Sequence, residues 1–199
     1  MSRFGTGLRA ETGVVSVVVV VADGDLTAAA TTLDALAGVE RGGHEVEIVL
    51  CGPAVVVAGL TDLAPDATIV DGGAVTHPGA LANLAAARAR GEHLAFVVPG
   101  YRPEAAWLTG AFDTILADAS VAAVASWVLR GETVVVAAAG VAVTGDPVSI
   151  DAGRAVGELP RVVADVLWAS PGGLVVEARA FAFVGGYDEE FGARAGAVD

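Results

Sequence analysis

Lysine is absent from this chain: all 11 basic residues are arginine, set against 24 Asp and Glu, for a formal net charge of -13 at pH 7. The exclusive use of arginine matches the codon bias of a GC-rich genome. The charge repels nucleic acid and anionic lipid heads at long range, which argues against a nucleic-acid partner. Cysteine occurs once, at Cys51, so no internal disulfide can form and nothing demands an oxidising compartment. At the end of an apolar run, Cys51 reads as a packed thiol. His44, His77 and His93 are scattered, and neither a His-x-x-His pair nor a cysteine pair supplies metal-ligand spacing. Gly72-Gly73 and Pro171-Gly172-Gly173 are not followed by the Lys and Ser/Thr of a phosphate loop, and no serine sits in a Gly-x-Ser-x-Gly elbow. No apolar run reaches the roughly 20 residues that cross a bilayer. The longest, Val14 to Ala22, is followed by Asp23 and Asp25 where a signal peptide carries small residues. The segment reads as a strand and the chain as cytoplasmic.

What is present is apolar. With 54% hydrophobic residues, 18% charged residues and 26 glycines in 199 positions, the composition fits one domain whose sheet is buried on both faces. Residues 1–13 read as a loose leader and 14–199 as the domain. Val14 to Val21 is an expected strand. Leu26 to Leu36 has apolar residues at helical spacing, and Glu45 to Leu50 is a second strand stopped by Gly52-Pro53. A helix over Val55 to Leu63, a strand over Ala67 to Val70, an Ala-rich helix over Gly79 to Arg90 and a strand over His93 to Val98 continue the alternation. That order predicts a mostly parallel sheet covered on both faces. A helix from Glu104 to Leu116 follows. Beyond Ser120, short Val-rich segments joined by Arg-Gly-Glu and Ala-Gly predict antiparallel pairing, with a surface loop from Asp146 to Leu159.

Val15 to Val19, Glu47 to Gly52, Asn83 with Arg90-Gly91-Glu92, Gly91 to Val97 and Gly185 to Glu189 are segments that, in this order, resemble those of inverting glycosyltransferases of family two, which have the GT-A fold. Val15-Ser16-Val17-Val18-Val19 is similar to that family's opening strand. Glu47-Ile48-Val49-Leu50-Cys51-Gly52 falls where the family carries Ile-Val-Val-Asp-Asp-Gly-Ser, and Asn83 with Arg90-Gly91-Glu92 matches its next helix and turn. Gly91-Glu92-His93-Leu94-Ala95-Phe96-Val97 resembles its central strand. Gly185-Gly186-Tyr187-Asp188-Glu189 resembles its Gly-Gly-Phe-Asp-Glu turn. The fold class this implies is α/β: a GT-A, Rossmann-like three-layer sandwich with a mostly parallel central sheet and a smaller antiparallel part in the C-terminal half. A nucleotide-sugar half would span about 14–100 and an acceptor half about 101–199.

The resemblance also shows what has changed. The family's central strand ends in Asp-Asp-Asp, which holds a divalent metal and the donor diphosphate; Val98-Pro99-Gly100 stands there. A hard cation needs oxygen ligands, and these side chains have none. Leu50 and Cys51 replace two further acids, Ala82 replaces an arginine, and Ala197 stands at the position of the base that deprotonates the acceptor hydroxyl. The chain ends at Asp199 within that motif. The resemblance therefore implies no metal and no cofactor, and a nucleotide-sugar cleft at the carboxyl ends of the first parallel strands, at Ala22, Asp23, Gly52, Asn83, Gly100 and Arg102. Asp188, Glu189 and Glu190 are the nearby acids left for catalysis. For Asp23 the competing reading is a cap on the helix beginning near Leu26, and for Asn83 a structural amide. Two functions follow: a degenerate domain serving as scaffold or regulatory partner, through a protein partner or a homo-oligomer, or an active transferase that works without metal through arginine.

Overall fold

The computed structural model describes residues 10–136, 139–141, 147–149, 152–159, 165–166 and 171–189. Four parallel strands, β1 (Glu11–Val20), β2 (Glu45–Gly52), β3 (Thr68–Asp71) and β4 (Gly91–Val97), alternate with helices α1 (Leu26–Leu36), α2 (Ala54–Leu63) and α3 (Pro78–Ala86). After α4 (Trp107–Ala117) come the short strands β5 (Ala123–Ala125), β6 (Val128–Arg130), β7 (Thr133–Val136), β8 (Ala139–Val141) and β9 (Pro147–Ser149). β10 (Leu174–Glu177) and α5 (Ala178–Val184) complete the described chain. The main sheet is six-stranded, in the order β3-β2-β1-β4-β10-β5, with β10 antiparallel to both of its neighbours. β6 with β7 and β8 with β9 form separate two-stranded antiparallel pairs. The expected three-layer α/β sandwich is the observed one.

Alternation along β1 builds both halves of the core. Val15, Val17, Val19 and Val21 face α1, α2 and α4 through Ala29, Leu60, Leu108 and Phe112. Val18 faces α3 and α5 through Leu81, Ala85 and Phe181. β-Branched residues suit this strand because pleated neighbours on both sides fix their rotamers. The polar member of the run, Ser16, is fully buried. Its hydroxyl donates to Glu47 Oε2 at 2.5 Å and accepts from the Gly91 amide at 2.8 Å. Glu47 accepts further bonds from the Arg90 amide and Thr68 Oγ1. A Cβ at Gly91 would stand 2.6 Å from Ser16 N, so glycine is required by close approach.

Several boundaries differ from the sequence expectation. β1 starts at Glu11, inside the segment read as leader, because the Glu11 amide bonds Arg90 O and continues the pairing with β4. α3 ends at Ala86, before Arg88 and Arg90, and Arg90 instead pairs with Glu11 and Glu45 at the base of the sheet. α4 starts at Trp107, preceded by a turn in which the Trp107 amide bonds Glu104 O. The stretch expected as a loop from Asp146 contains β9 and a short 3-10 helix, Val156–Glu158.

Candidate functional site

The carboxyl edge of the parallel strands is where the family resemblance implies a cleft, and each β-to-α connection there has a local cause. After β1, Asp25 rather than Asp23 caps α1, its Oδ1 accepting from the Ala28 amide at 2.9 Å. Asp23 accepts from the Asp25 amide at 3.1 Å and shapes the turn before that cap. After β2, Gly52 is buried, and a methyl group there would collide with Val56 and approach Val21 O to 3.0 Å. Its carbonyl accepts from the Gly72 amide at 2.8 Å, and Gly73 O accepts from the Ala54 amide, so the turns after β2 and β3 are bonded to each other. Ala22 is half-buried and packs on the core cluster beneath α3 and α5. Asp71, at the end of β3, is an exposed carboxylate that accepts from the Gly73 amide; sequence reasoning passed over it. Burial and, less strongly, the charge of Asp71 push the Cys51 thiol up to about 12, so Cys51 is a packed thiol, as its position in an apolar run implied.

Asn83 is buried on α3 and fully engaged. Its Nδ2 donates to Tyr187 O at 2.8 Å and to Glu189 Oε1 at 2.9 Å, and its Oδ1 accepts from the Tyr187 amide at 2.9 Å. The turn it grips follows α5, which ends at Gly185 in the left-handed region, φ +92°. Tyr187 packs against Phe96 and Phe181 with ring centroids 5.3 to 5.4 Å apart in this trio. Its hydroxyl is buried with no hydrogen-bond partner among the described residues, and burial raises its pKa. Tyr187 also approaches the start of α3, where the His77 ring accepts from the Ala80 amide and caps the helix. The structure thus brings Asn83, Tyr187, Glu189 and the His77 region together. It places Asp23, Gly52 and Gly100 each at its own strand end. Arg102 is exposed and makes no hydrogen bond or ion pair among the described residues. Asp188 lies in the same turn as Glu189, whereas Glu190, Ala197 and Asp199 lie outside the described residues.

After β4, Val98-Pro99-Gly100 leads into Tyr101 and α4. Sequence reasoning missed the residue that fixes this turn, Thr32 of α1. It is fully buried, and its signal was a hydroxyl three residues after Ala29 on the inward face of the helix. Its Oγ1 donates to Tyr101 O at 2.8 Å and accepts from the Gly100 amide at 2.9 Å. Val98, Pro99 and Gly100 offer no side-chain oxygen, and Val98 O already accepts from the Tyr101 amide. These residues do not fit a divalent cation. Among the described residues, no group of three His, Cys, Asp or Glu can hold one elsewhere. A cavity of about 250 Å³ opens at the opposite edge of the sheet, lined by Thr12, Glu92, His93, Glu177 and Arg179, away from the carboxyl ends of the parallel strands.

The fold is GT-A-like, the fold shared by glycosyltransferases and a nucleotidyltransferase-like enzyme. The chain superposes on the mannosyltransferase PcManGT of Pyrobaculum calidifontis, solved in complex with GDP-Man and Mn2+, with a TM-score of 0.62 and 16% identity, covering 98% of this chain and 52% of that one. It matches TarS 1–349 of S. aureus with a TM-score of 0.55 and 13% identity over 92% of this chain and 52% of that one. It also matches the 4-diphosphocytidyl-2C-methyl-D-erythritol synthase of Anaerococcus prevotii, TM-score 0.52 and 13% identity, over 86% of this chain and 74% of that one. The chain therefore spans about half the length of the mannosyltransferase and of the TarS segment. No protein-family model matches the sequence, and no curated protein matches it. At these identities the likeness establishes the fold. No helix among the described residues is long and apolar enough to cross a membrane.

Proposed function

We propose that this chain is a catalytically degenerate GT-A glycosyltransferase-like domain that acts in the cytoplasm as a scaffold or regulatory partner, through a protein partner or a homo-oligomer, in glycan or cell-envelope biosynthesis. One observation carries the reading: at the end of β4 the Gly100 amide and the Tyr101 carbonyl are bonded to α1, and Val98, Pro99 and Gly100 bear no side-chain oxygen where a metal-dependent transferase needs carboxylates. The end of β2 tells the same way, since Leu50 and Cys51 are fully buried and apolar in the place of two acids. Inverting transfer needs a positioned carboxylate to take the proton of a sugar hydroxyl, which is a poor nucleophile at neutral pH. Of the described acids left for that role, Asp188 and Glu189, Glu189 is tied by a hydrogen bond from Asn83 into the turn after α5.

A second reading is favoured by one residue. Arg102 follows the β4 turn and carries a guanidinium with no partner among the described residues, and guanidinium can hold a diphosphate in a bidentate fork without metal. In that reading the chain is a metal-independent transferase for a nucleotide sugar, with Asp188, Glu189 or Glu190 as base. Release of nucleoside diphosphate from UDP-, GDP-, TDP- and CDP-sugars, followed with purified protein in EDTA, separates the two. The degenerate domain gives no release above the protein-free rate. Sustained turnover that one of Asp188→Asn, Glu189→Gln or Glu190→Gln abolishes establishes the transferase instead.

A further inference from the structure

In the turn after β4, the Gly100 amide and the Tyr101 carbonyl meet α1. The Gly100 amide is shared between Ala28 O and Thr32 Oγ1, both at 2.9 Å. Tyr101 O receives the Thr32 hydroxyl at 2.8 Å, and Val98 O receives the Tyr101 amide at 3.1 Å with Thr32 Oγ1 a further 3.4 Å away. Gly100 has φ +87°, a conformation that favours glycine, and a Cβ there would lie 3.6 Å from Ala28 Cβ. One buried hydroxyl therefore bonds both the Gly100 amide and the Tyr101 carbonyl, and with Val98 O each of these three backbone groups already has a partner within the chain. A bound cation organises a loop by gathering oxygens from several positions. Here the same gathering is done by a side chain of the neighbouring helix.

We propose that Thr32 holds the β4 turn in the place of a divalent cation, so that the turn is ordered without metal and does not respond to one. The proposal rests on reading this edge as a GT-A cleft, but not on whether the cleft binds nucleotide or transfers sugar. Thr32 is then a positioning residue. Amide hydrogen exchange of the full chain, read at Gly100 and Tyr101, tests it with Mg2+ and Mn2+ as the probes. In EDTA both amides of the wild-type chain are protected, and millimolar Mg2+ or Mn2+ leaves their rates unchanged. Thr32→Val removes the hydroxyl at nearly constant volume and orphans Tyr101 O, raising exchange at the two amides by about tenfold, the scale of one buried hydrogen bond, with Val17 of β1 unaffected. Thr32→Ser keeps the hydroxyl and keeps the protection. Protection that appears only with metal, or that Thr32→Val leaves intact, overturns the proposal. If Thr32→Val does not fold, the metal comparison on the wild-type chain and the serine variant still decide it.

Discussion

Replacing Asn83 with alanine removes three hydrogen bonds in one step and leaves both the amide and the carbonyl of Tyr187 without their partners. The bond to Glu189 contributes little, because that carboxylate is exposed and exchanges it for water. The two backbone groups of Tyr187 carry the cost. Each is worth roughly 0.5–1.5 kcal/mol net when paired, and more when left buried and unpaired. Together with the small cavity from the lost side chain, the loss comes to about 2 kcal/mol. In a chain of this size that lowers the melting temperature by about 4–8 °C. Urea unfolding is the direct assay: the midpoint falls while the slope m, which follows the surface exposed on unfolding, stays the same. Asn83→Asp is the control. It can still accept from the Tyr187 amide, but it turns a carboxylate toward Tyr187 O and Glu189, and so destabilises at least as much as alanine. A loss under about 0.5 kcal/mol for Asn83→Ala, or an aspartate variant milder than the alanine one, refutes the claim that this amide anchors the turn after α5.

Three other consequences are open to measurement. His93 stacks edge-on to Phe112, and its imidazole is held below the ordinary 6.5 first by burial, with His44 adding to the depression and Glu92 and Glu177 opposing it. The unfolded chain then binds a proton that the folded one does not, so stability is full above about pH 6.5 and declines as pH drops toward the folded-state value. The urea midpoint should fall between pH 7.5 and 5.5, and less so in His93→Phe; a flat profile contradicts this. Cys51, with its thiol near 12, should resist a thiol reagent at pH 8 in the native protein and react fully in urea. Gly52→Ala drives a methyl group against Val56 and Val21 O and should cost about 1–3 kcal/mol of stability by the same unfolding assay. No change at Gly52 would mean that α2 shifts freely.

How much the sequence discloses depends on the range of the interaction. β1, β2, β4 and α1 are legible because their signal is local: a β-branched run, an acid-aliphatic alternation, a helical stripe from Leu26 to Leu36. The boundary of α3 is not, since Arg88 and Arg90 look like helix-terminal cations until the pairing of Arg90 with Glu11 and Glu45 is seen. The missing carboxylates at Val98, Pro99 and Gly100 can be read directly, yet what replaces them cannot. Thr32 and Tyr101 are 69 positions apart, and Asn83 and Tyr187 are 104 apart. No periodicity reports contacts of that separation, so a buried threonine looks like one more residue of an Ala-Thr helix. Asp23 and Asp25 show the opposite limit: either can cap α1, and only the backbone path decides for Asp25.

Whether the carboxyl edge of this GT-A-fold chain is organised without a cation is decided by thermal unfolding of the purified chain against UDP-, GDP-, TDP- and CDP-sugars, each in EDTA and in Mn2+. A ligand present at about 100 times its dissociation constant adds roughly 2.7 kcal/mol, which is readily seen. With the turn after β4 held by Thr32, no nucleotide sugar should raise the melting temperature more in Mn2+ than in EDTA. A rise that requires Mn2+ and is specific to one nucleotide class contradicts a cation-free cleft.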